Sequence, residues 1–211
     1  MKILAFEPRI DVEKAILKLK KREKRLGKLF SYELIYLGYY FFIFNFKARS
    51  DQREPSTAII AADIIDGSPV FFKEGLEELD KAKEIEVEDN RVLKVRCKEE
   101  EAYERASDEL RKRLLRVVMW RRVGLKFSLM DKRLIYFPYY VGYYFGKSKI
   151  KSIFDLLISS KIKNREEVRF EVVNALTGEV GNVYGRAGVM KGIVLDEMDK
   201  KGGGNLPEGY Q

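Results

Sequence analysis

The sequence predicts an α+β fold made of two degenerate repeats, each running β-α-β-β(-β), with helices packed on antiparallel sheets. The first observation is an internal echo: Leu34-Ile35-Tyr36-Leu37-Gly38-Tyr39-Tyr40 returns as Leu134-Ile135-Tyr136-Phe137-Pro138-Tyr139-Tyr140, with five of seven positions identical. The second is a pattern match downstream, where Ala61-Ala62-Asp63-Ile64-Ile65-Asp66-Gly67 parallels Val172-Val173-Asn174-Ala175-Leu176-Thr177-Gly178. The offset grows from 100 to 111 between the two matches, which requires an insertion in the second copy.

Taken in order, Ile3 to Glu7 reads as a strand. A helix follows from Asp11, a candidate N-cap, through Val12, Ala15, Ile16 and Leu19 to about Gly27. The run Tyr39 to Phe46 is too uniformly apolar and aromatic for a strand wetted on one face, so both of its faces are expected to be covered. Asp66-Gly67 then marks a tight turn between β-rich runs. In the second copy, Leu93 to Cys97 reads as the strand, aligned with Ile3 to Glu7. Residues 99 to 122 read as the helix, with Ala102, Ala106, Leu110 and Leu114 on one face and Thr177-Gly178 as the closing turn. The repeats are drawn as residues 1–90 and 91–197, with an insertion at about 147–164 and a flexible C-terminal tail at 198–211.

The stretch Phe170-Glu171-Val172-Val173-Asn174-Ala175-Leu176-Thr177-Gly178-Glu179-Val180, behind a helix that begins Glu-Glu-Ala and an aromatic strand, resembles the ending of PepSY-type repeats. The resemblance follows the order of elements through most of both copies and is closest at residues 170–180. It implies paired cystatin-like α+β modules that bind or restrain peptidases. The first copy departs from it, with Asp66 and Pro69 where Thr177 and Val180 stand.

Composition narrows the chemistry. The 211-residue chain has no histidine and one cysteine, Cys97. Metal sites and triads that need an imidazole are thereby excluded, as is an internal disulfide framework. Cofactors and enzymatic activity are not expected. No apolar run reaches the roughly 18 residues of a membrane-spanning helix, and the first residues do not read as a secretory signal, so a cytoplasmic protein without membrane attachment is expected. Abundant Lys and Glu with few thermolabile residues resemble the bias of hyperthermophile proteins.

The net charge of +8 favours an anionic partner, and its distribution is uneven. Residues 1 to 30 carry net +6 and residues 101 to 133 net +5, whereas residues 61 to 100 carry net −5. The candidate anion-binding or nucleic-acid-binding residues are Lys18, Lys20, Lys21, Arg22, Lys24, Arg25 and Lys28 in the first copy. In the second they are Arg111, Lys112, Arg113, Arg116, Arg121, Arg122 and Lys126. Packed by pseudo-symmetry they would form one phosphate-binding stripe; the bland alternative is cations complementing helix C-termini. The expected function is a non-enzymatic basic protein that recognises RNA or a ribonucleoprotein such as the ribosome. The alternative is a protein-binding regulator or adaptor, peptidase-inhibitor-like, working through an aromatic sheet and the insertion. There Ile150, Ile153, Phe154, Leu157 and Ile158 recur at helical spacing as a partner-contact or homodimer face.

Three further motifs bear on function. Gly142-Tyr143-Tyr144-Phe145-Gly146-Lys147-Ser148 falls one residue short of a phosphate-cradling loop. Cys97 before a helix could be an activated thiol or a small buried hydrophobe. Asp63 and Asp66 have Asn174 and Thr177 as counterparts, which favours turn chemistry over acid and base catalysis. The tyrosines of the aromatic runs are expected mainly in the core, with any exposed ring open to base stacking.

Overall fold

The long aromatic runs form the two longest strands, β2 (Lys28–Lys47) and β6 (Lys126–Gly146). Around them stand β1 (Lys2–Ala5), β3 (Ser56–Asp63), β4 (Pro69–Phe72), β5 (Lys83–Glu86) and β7 (Glu167–Asn174). The sheet has seven strands in the order β4-β3-β2-β6-β1-β5, and β7 pairs with β6. The helices are α1 (Val12–Lys20), α2 (Glu23–Leu26), α3 (Leu76–Leu79), α4 (Glu99–Val118) and α5 (Val183–Lys200), so the fold is mixed α+β. The computed structural model describes residues 1–47, 54–118, 126–146, 167–181 and 183–200. Two units arise from non-contiguous segments: Met1–Glu7, Tyr36–Phe137 and Lys191–Gln211 make one, and Pro8–Ile35 with Pro138–Met190 the other.

In the first unit, β3 lies antiparallel to β2 from Tyr39↔Asp63 to Phe46↔Ser56, and β4 continues the sheet. β1 runs antiparallel to β5 and meets β6 in parallel at Ala5↔Tyr136. The amphipathic spacing of α4 buries Ala102, Ala106, Leu110 and Leu114, and the helix packs on β3 and β4. Phe41, Phe42 and Phe44 of β2 are buried as well, which accounts for the absence of polar alternation in that run. The strand expected at residues 93 to 97 does not form. Lys94 and Val95 are exposed, and only an isolated parallel bridge, Tyr36↔Val92, marks the place.

α5 was not expected from the sequence, and it absorbs residues 198–200 of the tail; residues 201–211 lie outside the described residues. Its glycines make it a poor helix by propensity. Packing supplies the reason for them: a Cβ on Gly192 would stand 2.8 Å from Leu93 Cδ1, so the helix backbone runs directly against Leu93.

In the second unit, α1 and α2 cover the C-terminal part of β6 and β7. Ala15, Leu19 and Leu26 pack with Tyr140, Tyr144, Val173 and Ala175, bordered by Leu29, Leu34 and Val180. The two tyrosine hydroxyls are satisfied inside this core, Tyr140 donating to Ile10 O at 3.1 Å and Tyr144 to Leu19 O at 2.9 Å. β6 and β7 are antiparallel from Tyr139↔Asn174 to Gly146↔Glu167. Asp11 occupies the N-cap position of α1 but makes no capping hydrogen bond; its carboxylate lies 3.4 Å from Lys14 Nζ instead. The expected single helix is broken after Lys20 into α1 and the short α2, which stops at Gly27 (φ +102°).

Hydrogen bonds in the two units recur at fixed sequence offsets. Leu93 N donates to Tyr36 O and Phe6 N to Tyr136 O, both within the first unit. Arg96 and Cys97 both donate to Ile64 O; in the second unit Arg9 and Ile10 both donate to Ala175 O. Ile64 N reaches Gly38 O, and Ala175 N reaches Pro138 O. The register places Leu93 in the role of Phe6, not of Ile3 as the sequence alignment had it.

Candidate functional site

Among the described basic residues, the structure separates anchored cations from free ones. Lys18 Nζ donates to Gly178 O at 2.7 Å, holding α1 to the turn after β7. Arg22 and Arg25 converge on Glu171 of β7, whose side chain is 1% exposed; Arg25 Nη2 reaches Glu171 Oε2 at 3.1 Å, and Arg22 Nε lies 3.9 Å away. Arg186 of α5 approaches the other carboxylate oxygen at 3.6 Å. A buried carboxylate is tolerated only when paired, and here three guanidinium groups supply the pairing.

In the same unit Lys20, Lys21, Lys24 and Lys28 are exposed and have no acidic partner among the described residues. Their charges stay available to an external anion.

Arg111, Lys112, Arg113, Arg116 and Lys126 lie in the first unit. Arg111 pairs with Asp108 at 3.1 Å and stands 5.4 Å from the centre of the Phe127 ring. Arg113 stacks over Phe71 at 4.1 Å and edges a groove of about 800 Å³ that Phe46, Ile59, Leu110 and Leu114 help to line. Lys112, Arg116 and Lys126 are exposed without an acidic partner among the described residues. Arg121 and Arg122 lie outside the described residues, as do Ile150, Ile153, Phe154, Leu157 and Ile158 of the insertion.

The remaining sequence candidates resolve locally. Residues Gly142 to Gly146 are strand, paired with β7 from Gly142↔Glu171 to Gly146↔Glu167, so their amides are not arranged as a phosphate cradle. Lys147 and Ser148 lie outside the described residues. Cys97 is buried, and burial pushes its thiol up to about 11, opposite to the shift an activated thiol requires.

Asp63 and Asp66 build a turn. Asp63 Oδ1 accepts from Ile65 N and Asp66 N, both at 2.9 Å; Asn174 Oδ1 does the same for Leu176 N and Thr177 N. Burial raises the Asp63 carboxyl to about 6. Burial would also raise Asp66, but hydrogen bonds from Lys191 (2.7 Å) and Ser68 hold it below the usual carboxylate range. No group of three or more metal-ligating side chains occurs among the described residues.

Sequence reasoning missed an aromatic group on the second unit. Phe30 and Phe145 stack with ring centres 3.9 Å apart, Tyr143 lies 6.2 Å from Phe30, and Phe170 packs edge-on to Tyr143 at 5.1 Å. Strand alternation was the available signal: Tyr140 and Tyr144 point to the α1 side, which turns Tyr143 and Phe145 away from it.

No helix among the described residues is long and apolar enough to cross a membrane. Comparison with known proteins finds no matching family model, curated protein or solved structure.

Proposed function

We propose that the protein is a non-enzymatic binding protein for an anionic macromolecule, with RNA or a ribonucleoprotein such as the ribosome as its partner. The observation that carries this reading is the division of labour around α1 and α2. Arg22 and Arg25 are committed to Glu171, while the intervening and flanking Lys20, Lys21, Lys24 and Lys28 remain exposed and unpaired. Arginine pairs to the buried Glu171 carboxylate fix the segment, and the free lysines lend affinity without base selectivity, as phosphate contacts do. Lys112, Arg116 and Lys126 supply a second free group in the first unit.

The fold beneath this function is, in the same proposal, a tandem of two PepSY-like repeats whose helices are exchanged. The recurring hydrogen bonds support it. Residues before α1 bond to strands of the second copy, and residues before α4 bond to strands of the first, with Arg9, Ile10 and Ala175 mirrored by Arg96, Cys97 and Ile64.

A filter-binding titration of the full chain with total RNA tests the functional reading. Binding that weakens steeply as salt rises, and weakens further in the Lys21→Glu/Lys24→Glu variant, is expected. Absent or salt-independent binding overturns it.

A further inference from the structure

We infer that the aromatic face formed by Phe30, Tyr143, Phe145 and Phe170 is a stacking platform for the bases of single-stranded nucleic acid, with Lys28 taking an adjoining phosphate. The inference rests on the nucleic-acid reading above and adds to it the form of the ligand and the site of base contact.

The opposite side of this sheet is fully used. Tyr140 and Tyr144 are buried against α1, and their hydroxyls are satisfied. Tyr139, which points the other way, is covered by α5, where a Cβ on Gly185 would meet its ring at 2.7 Å. Beyond that cover the rings become accessible: Phe30 is 47% exposed and Phe145 40% exposed, and Val168 beside them is exposed as well. The stacked pair, inclined by 20°, presents flat π surface of the kind a base can extend. Tyr143 is held in place by donating its hydroxyl to Glu33.

Charge decides the occupant. Lys28 lies two residues before Phe30 on β2, on the same side of the strand by alternation, and is exposed without an acidic partner among the described residues. An apolar protein segment would leave that ammonium group unused. A single strand offers unstacked bases to the rings and a phosphate to Lys28, whereas a duplex keeps its bases stacked internally.

The test is fluorescence anisotropy of the full chain with a labelled oligouridine and with an RNA duplex of equal length. Phe30→Leu, Phe145→Leu and Lys28→Gln variants are measured alongside, with thermal melts to confirm folding. The single strand is expected to bind more tightly than the duplex. Each leucine variant should lose about five- to a hundredfold in single-strand affinity without changing the salt slope, and Lys28→Gln should lower that slope. Leucine variants that bind like the wild type, or equal affinity for duplex and single strand, overturn the platform while leaving the anionic-partner reading intact. Binding to neither oligonucleotide overturns both. A wild-type chain that sediments as a dimer and a monomeric Phe145→Leu variant would assign the face to self-association instead.

Discussion

Asp63 and Asn174 do the same mechanical work in the two units, each side-chain oxygen accepting two backbone N–H groups of a turn. Only Asp63 ionises. Its folded-state pKa, raised by burial from 3.8 to about 6, means the folded protein holds the proton more tightly than the unfolded chain does. The resulting stabilisation is complete below about pH 3.8 and is lost as pH rises through about 6, a change of at most about 3 kcal/mol. Asp63→Asn keeps the acceptor and removes the charge. The variant should melt higher than the wild type at pH 8 and alike at pH 3.5, as read by thermal denaturation; a lower melting point at pH 8 would contradict the assigned role. The turn itself was legible in the sequence, because Asp-x-x-Asp-Gly chemistry is local. The cost of burying Asp63 was not, since it depends on neighbours that only the fold brings near.

Between elements, a polar junction of the second unit ties α2 to β7 through Arg25 and Glu171. Glu171→Leu would leave Arg22, Arg25 and Arg186 facing one another without their carboxylate. It is expected to destabilise the chain by roughly 1–3 kcal/mol in urea unfolding, the arginines being partly solvated. The turns are a second test. Gly67 and Gly178 adopt φ of +69° and +74°, and a Cβ on Gly67 would stand 2.7 Å from Cys97 Sγ. Gly67→Ala therefore combines strain with a clash and should cost about 2 kcal/mol or more. At this scale the sequence was readable where periodicity is local, as in the Ala102, Ala106, Leu110 and Leu114 stripe of α4. It was silent on α5, whose glycines argue against a helix until Leu93 and Tyr139 are seen pressed against its backbone. Arg22 and Arg25 looked like free cations for a related reason, because their partner Glu171 is far away in the chain.

For the whole molecule, the proposed exchange of helices carries a consequence for assembly. If α1 completes the strands of the second copy and α4 those of the first, residues 1–90 and 91–200 expressed separately should each fold poorly. Mixed, they should form a one-to-one complex with the circular dichroism of the intact chain. Two independently folded halves would contradict the exchange.

The charge asymmetry was plain in the sequence, but which cations remain free became clear only from the ion pairs. In the second unit Lys20, Lys21, Lys24 and Lys28 are left over among the described residues, and the functional account stands first on them. The most direct measurement is the salt dependence of single-stranded RNA affinity for the wild type and for variants in which these lysines become glutamine one after another. The account predicts a slope of log K against log salt that falls by roughly one unit for each lysine engaged with phosphate. A slope and affinity unchanged by the loss of all four would contradict it.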